Sequence, residues 1–360
     1  MTRSPVHYHD YLELDKVLEA QTPKSGTQGR KPASDEMLFI ITHQSFELWF
    51  KQIHHELDFI QEAFAKPTLA DEALSLAHLR LERICSIYEL MIAQFDVLMT
   101  MTPLDFLDFR DELVPASGFQ SVQFRHLDAR LGVKDVREEI ASGLPALAAT
   151  KARHMKRLSE EVEKPSLAEQ MNAWLERFKF INVDQFDFET QYRVAVEDHF
   201  AKERAILLKT HADHSEALKA QLASLDRSLA AFHTIFSDES YRELAEKHGF
   251  NLSRRGLVAA IFITLYSEQP LLQLPWRFLK TSQKLNTLMS AWKSKHLAMV
   301  RMMIGTRMGT GGSTGEIFLK QSLYQKQVFQ EMAFLASFLL PRSCIPKLPK
   351  PVCEQLRFAG

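Results

Sequence analysis

Two histidines interrupt otherwise apolar helical stripes. His43 lies in the series Phe39, His43, Phe46, Phe50, Ile53, Leu57 and Ile60, and His296 in the series Leu285, Leu288, Trp292, His296, Met299 and Met303. Steps of three and four place each set on one helix face. A histidine so placed is either a hydrogen-bonded core residue or a ligand. An apolar surround disfavours imidazolium and keeps a ring lone pair available, which suits an axial ligand to haem iron. Zinc fits less well. The helix of His296 carries no H-x-x-x-H or E-x-x-H pair, and the adjacent His54 and His55 point to different faces. One protein ligand in an apolar surround favours a macrocyclic cofactor over a bare metal.

Arg110 sits among apolar residues in DFLDFRDEL, where a guanidinium should meet a carboxylate. Its partner is either Asp108 or Asp111, or the carboxylate of a substrate gripped through two parallel hydrogen bonds. Arg125, further along, can serve a haem propionate in the same way. Segment 305–315, GTRMGTGGSTG, is dense in glycine and follows the helix of His296 directly, a sign of close backbone approach to something. It fails three familiar tests. There is no Lys for a phosphate-binding loop. Thr314 stands where a dinucleotide fingerprint needs Gly. A G-x-S-x-G is present at 311–315, but a helix precedes it where a nucleophile elbow needs a strand.

These residues need rigid supports, and the chain supplies helices. Of 360 residues 46% are hydrophobic, with 25 Phe and only 13 Gly and 14 Pro, and helical periodicity recurs over most of the length. The expected fold is all-α. A single large helical domain over 35–360 follows an N-terminal arm over 1–34, whose segment 22–33 collects Pro, Gly and Ser. A long helix should start at Glu36 with Asp35 as its cap, and a second should run over about 73–99. Region 194–219 reads as a solvated, charged helical hairpin, a satellite on the core. After Leu252 a buried helix leads through Pro270 and Pro275 to the helix of His296.

Forty-four Lys and Arg against 45 Asp and Glu leave a net charge of -1, so nothing in the overall field recruits nucleic acid or an anionic membrane. Cys85, Cys344 and Cys353 lack C-x-x-C spacing and read as free thiols of a reducing compartment. The longest apolar run, 257–266, is about half a membrane span. A cytoplasmic protein is expected.

Three segments, DEMLFIITHQSFELWFKQ (35–52), FRDELVPASGFQSVQFR (109–125) and WKSKHLAMVRMMIGTRMGTGGSTG (292–315), resemble signatures of the tryptophan 2,3-dioxygenase family in its order and approximate spacing. The resemblance extends from YHDYL near the start to PRSCIPKLP near the end and is weakest over about 190–245, which it marks as a more variable helical insertion. It implies an all-helical, haem b-dependent homotetramer, with one haem per subunit, that uses O2 to cleave the indole C2–C3 bond of L-tryptophan to N-formylkynurenine, a step of tryptophan catabolism. His296 would be the axial iron ligand, with Trp292 packed nearby and Arg125 on a propionate. His43 would face the indole N–H, and Phe39 and Phe106 would wall the ring. Arg110 and Thr310 would hold the carboxylate and ammonium, with Ser117 and Gly118 beside the oxygen site. Tyr8 and Tyr11 would come from the arm, which contacts a neighbouring subunit. Ser34, Phe46, Phe106 and Thr314 depart from residues frequent in the family and bear on affinity more than on reaction type. The alternative is the same fold and haem inserting one oxygen atom into a substituted tryptophan or another aromatic amino acid.

Overall fold

Long amphipathic stretches with few glycines or prolines propagate as helix, and most of the chain does so. The computed structural model describes residues 5–26, 31–141, 152–183, 186–210, 216–307, 309 and 327–357. Two short helices, α1 (Tyr8–Tyr11) and α2 (Leu14–Leu18), lie in the arm. They are followed by α3 (Glu36–Phe64), α4 (Asp71–Leu98), α5 (Pro103–Arg110), α6 (Val122–Leu131), α7 (Lys134–Ala141), α8 (Ala152–Val162) and α9 (Leu167–Glu176). After a minimal antiparallel ladder pairing Asn182 with Asp187 and Val183 with Phe186 come α10 (Phe188–Thr210), α11 (Glu216–Thr234), α12 (Asp238–His248), α13 (Arg254–Leu265) and α14 (Gln273–Ile304). The all-α class expected from the periodicity is therefore found.

The centre of the molecule is α4, packed along α3 on one side and α14 on the other. Each contributes an apolar stripe: Phe46, Phe50, Ile53, Leu57 and Ile60 from α3, Leu81, Ile84, Met91 and Phe95 from α4, and Leu285, Met289 and Trp292 from α14, all buried. Helix α13 carries the longest apolar run, and Leu257 to Ile263 are at most 2% exposed inside the protein core. No single helix among the described residues is long and apolar enough to cross a membrane.

Local chemistry sets the helix ends. Thr102 caps α5 and Ser166 caps α9, each through a reciprocal capping box, and Pro103 takes the first helical position, where no N–H is needed. Gly132 ends α6 at φ 109°, and a Cβ there would lie 2.8 Å from the Ala168 Cβ, so only glycine allows α9 so close. Asp35 precedes α3 as expected but does not cap it, because its backbone is already helical and its side chain reaches no helix N–H. Glu36 instead ties the arm down: its buried carboxylate accepts from the N–H groups of Lys24 (2.6 Å) and Ser25 (2.8 Å).

Region 194–219 falls on two packed helices, α10 and α11, and its described residues are mostly exposed, as expected of a solvated hairpin. Val196, Phe200 and Leu218 are buried on the inner face, which continues outside the region into Tyr192 and Phe232, where the Tyr192 hydroxyl donates to the Phe338 carbonyl.

A polar knot joins α3, α6 and α8. His54 and His126 stack at 4.6 Å, His126 Nε2 lies 3.0 Å from Glu161 Oε2, and Arg130 reaches Asp58 at 2.7 Å. Burial, reinforced by His126, pushes His54 down to about 3. Burial alone would raise Glu161, but His126 and Arg130 outweigh it and hold the carboxyl at about 2. Both groups bind protons less tightly when folded, so their contribution is present above pH about 6.5 and is lost on acidification, through His54 first and Glu161 below about 4.5. At roughly 1.4 kcal/mol per unit, the His54 contribution falls by about 2–3 kcal/mol between pH 6.5 and 4.5. Urea titrations of wild type and His54→Gln at those two pH values should show a shallower loss in the variant; identical slopes would contradict the assignment.

Candidate active site

The i, i+4 step from Phe39 to His43 folds the imidazole back along α3, where His43 Nδ1 lies 2.8 Å from the Phe39 carbonyl oxygen. A carbonyl only accepts, so Nδ1 carries the hydrogen and the neutral ring leaves Nε2 as an acceptor. The Phe39 and His43 rings are 4.1 Å apart. Two residues of α5 complete this side: Phe106 is 5.7 Å and Phe109 5.6 Å from Phe39, and the two lie 5.4 Å apart, edge to face. Arg110, half-buried, ends α5 one helical turn after Phe106, so the helix that provides the ring wall also delivers the guanidinium.

On α14 the step from Trp292 to His296 is again i, i+4, and their rings sit 5.4 Å apart. Phe95 of α4 stacks on the His296 ring at 5.7 Å with a 20° tilt. Phe46 bridges the two histidine helices, at 6.3 Å from His43 and 5.8 Å from Trp292. Phe124 of α6, 5.2 Å from Trp292, and Phe50, 6.0 Å from it, close the shell.

Both imidazoles keep some accessible surface yet are hemmed in by protein. Desolvation pushes His43 down and takes His296 to about 4, the nearby His43 adding to the latter effect. Both rings are neutral at pH 7 and close enough to sense each other. His296 Nδ1 and Trp292 Nε1 are buried with no hydrogen-bond partner among the described residues. Nor do three His, Cys, Asp or Glu side chains converge anywhere among them to hold a metal. A neutral imidazole with no protein hydrogen bond at Nδ1, lying within an aromatic shell, has the donor chemistry for one axial bond to a haem iron and lacks the ligand set for a bare ion.

The turn before α6 is fixed to α3. Glu47, one turn beyond His43, accepts from the Ser121 hydroxyl at 2.6 Å and the Gln123 amide at 2.8 Å. This sets the place of half-buried Ser117, whose carbonyl accepts from the Gln120 N–H at 3.0 Å, and of exposed Gly118. Arg125 is buried on α6, with its guanidinium 3.6 Å from Glu139 of α7. Tyr8 and Tyr11 sit on α1, about three-quarters exposed. Thr310 lies outside the described residues, as does Thr314; α14 itself ends at Gly305, whose φ of 57° with ψ of -126° favours glycine.

The structure thus brings Phe39, His43, Phe106, Trp292 and His296 together, with Arg110 beside them. Phe95, Phe109 and Phe124 were not picked out by sequence reasoning. Phe109 precedes Arg110 and Phe124 precedes Arg125, so adjacency to a singled-out arginine was the one available signal. Phe95 carried none, since a phenylalanine in the stripe of α4 reads as core.

A helical bundle that presents two neutral imidazoles to one another inside an aromatic shell, with a guanidinium one turn from the ring wall, is an all-α enzyme with an enclosed, histidine-based site. The sequence profile of the tryptophan 2,3-dioxygenase family matches residues 1–339. Tryptophan 2,3-dioxygenase of Bdellovibrio bacteriovorus is 39% identical over 99% of each chain, and that of Alteromonas mediterranea 38% identical over 98% of each. Tryptophan 2,3-dioxygenase B of Danio rerio is 38% identical over 95% of this chain and 84% of its own. The chain belongs to the tryptophan 2,3-dioxygenase family.

Phe109 is fully buried between Phe39 and Phe106, so Phe109→Ala should cost about 3–5 kcal/mol of stability. The shift in urea midpoint measures it; a loss below about 1 kcal/mol would mean that the ring wall does not depend on this residue.

Proposed function

We propose that this protein is a haem-dependent dioxygenase that opens the indole ring of L-tryptophan with O2 to give N-formylkynurenine. The observation that carries the reading is the fixed tautomer of His43. Because its Nδ1–H is committed to the Phe39 carbonyl, Nε2 is a bare acceptor, the complement of an indole N–H. His296 would hold one haem b per subunit through its imidazole, with Trp292 and Phe95 packing beside it. When bound, the haem supplies the redox-active iron that allows O2 to react with the indole C2–C3 double bond.

The protein's own residues position and exclude. Phe39 and Phe106 would hold the indole flat, and Arg110, with Thr310, would anchor the amino-acid end, turning a bimolecular encounter into an oriented one. Ser117 and Gly118 would flank the oxygen site. Arg125 would approach a propionate, which places it in competition with its contact to Glu139. His43 orients the indole and does not deprotonate it, because an indole N–H is far too weak an acid for an imidazole held below its usual range.

Assembly as a homotetramer with exchange of the arm is supported by apolar surface left uncovered in the single chain. α1 and α2 bury none of their residues. Leu76, Leu79, Leu90 and Val97 share one face of α4, and Met37, Ile41, Leu48 and Phe59 one face of α3, all exposed. We assign the enzyme to the cytoplasm, on the strength of its three unpaired cysteines.

Reduced, haem-loaded protein given L-tryptophan and labelled O2 should yield a product heavier by both oxygen atoms; gain of one atom would mark a monooxygenase, and unchanged tryptophan would overturn the reading. His43→Ala should keep its haem and lose about tenfold in kcat/KM, the worth of one hydrogen bond of about 1.4 kcal/mol. In light scattering, Leu79→Lys with Leu90→Lys should reduce the tetramer to smaller species, and a full-size particle would argue that this face is not an interface.

A further inference from the structure

Asp and Lys are almost never fully buried unless paired. Asp128 of α6 is 1% and Lys293 of α14 3% exposed, and Lys293 Nζ lies 3.9 Å from Asp128 Oδ1. Desolvating two charges costs several kcal/mol per ion, and a well-packed apolar pair is commonly as stable or more so. Stability alone does not explain why charges are kept here.

Their position suggests what they do. Lys293 follows Trp292 directly and precedes His296 by three residues, so it stands beside the face that presents the ligand. From α6, Phe124 contacts Trp292, and Asp128, one turn on, meets Lys293. Two points of one helix therefore hold two consecutive residues of the other, and the Lys293 ammonium also lies 6.0 Å from the Phe124 ring. The third wall is Tyr88 of α4, fully buried and close enough to Asp128 to feel its charge. Helix α14 meets α4 through aliphatic and aromatic contacts, the His78–Thr281 hydrogen bond, and the ion pairs Lys284–Glu89 (2.8 Å) and Lys295–Asp96 (2.5 Å), whose partners reach solvent, where such pairs contribute little and yield to small rotations. A buried charge pair does not yield, since turning α14 away would leave two buried charges apart, at roughly 3–5 kcal/mol.

We propose that the Asp128–Lys293 pair is a positioning element for His296: it fixes the rotation of α14 against α6 and hence the angle at which the imidazole is offered to the haem iron. This rests on His296 being the iron ligand. Their partners lie on α6 and α4, so they act through the helix.

The test uses the full-length, haem-loaded protein and reads ferric EPR spectra and the rate of haem transfer to apomyoglobin. In Lys293→Met with Asp128→Leu the fold should survive, with an unfolding midpoint near wild type. The EPR signal should become heterogeneous and haem loss should accelerate, by about tenfold if the pair supports the ligand as strongly as a directly bonded outer partner does. Lys293→Arg, which keeps the charge, should stay within about twofold of wild type. Wild-type spectra and haem loss in the double variant would overturn the proposal. If the double variant does not fold, Asp128→Asn against Lys293→Arg decides: altered ligation only in the former supports it, and equal behaviour overturns it. His296→Ala is run alongside. An unchanged Soret band there would remove the ligand assignment itself, whereas a wild-type double variant beside an altered His296→Ala removes only the positioning role.

Discussion

Everything in this site depends on keeping two imidazoles uncharged inside a helical core. In the roles proposed for them, a protonated histidine would offer no lone pair to iron and no acceptor to an N–H, so the apolar stripes of α3 and α14 would serve the chemistry as well as the fold. Burial enforces neutrality at His296, taking it to about 4. At His43 burial acts against the Phe39 hydrogen bond, which by itself would favour the protonated ring but which also selects the tautomer. The same surround that disfavours charge thus leaves a lone pair at each ring, directed at His43 by the Phe39 hydrogen bond.

The chain holds a useful contrast in His54. It too is buried and neutral, but both nitrogens are spoken for: Nε2 donates to the Gln123 carbonyl at 3.0 Å and Nδ1 faces Arg130 at 3.3 Å. That is a core histidine whose hydrogen bonds are made within the protein. His296 differs in having a buried Nδ1 with no partner among the described residues. What separates the proposed ligand from a core residue is the disposition of hydrogen bonds, since burial is common to both.

Apolar and polar contacts divide the labour. The aromatic shell from Phe39 through Phe46 and Phe95 to Trp292 excludes water and fills volume, but ring packing is weakly directional. Direction comes from a few charged pins: Glu36 on the arm, Glu47 on the turn before α6, and Asp128 with Lys293 between α6 and α14. Each lies at a junction between separate elements, where a misplaced rotation or register would cost most.

Helical class, the long helices α3, α4 and α14, and the two histidine-bearing stripes were legible in the sequence because i, i+3 and i+4 spacing is a local property of the chain. The motifs also pointed to Arg110, Phe39 and Phe106. Partners across elements were not legible. Phe95 stacking on His296 and Phe109 backing the ring wall arise between segments far apart in the chain, while Glu36 fastening the arm in place of an Asp35 cap and the buried inner face of α10 and α11 arise between separate elements. A local pattern states which face of a helix turns inward; which residue it meets there is decided only when helices pack, because the energy of that meeting is shared by two segments and written in neither alone.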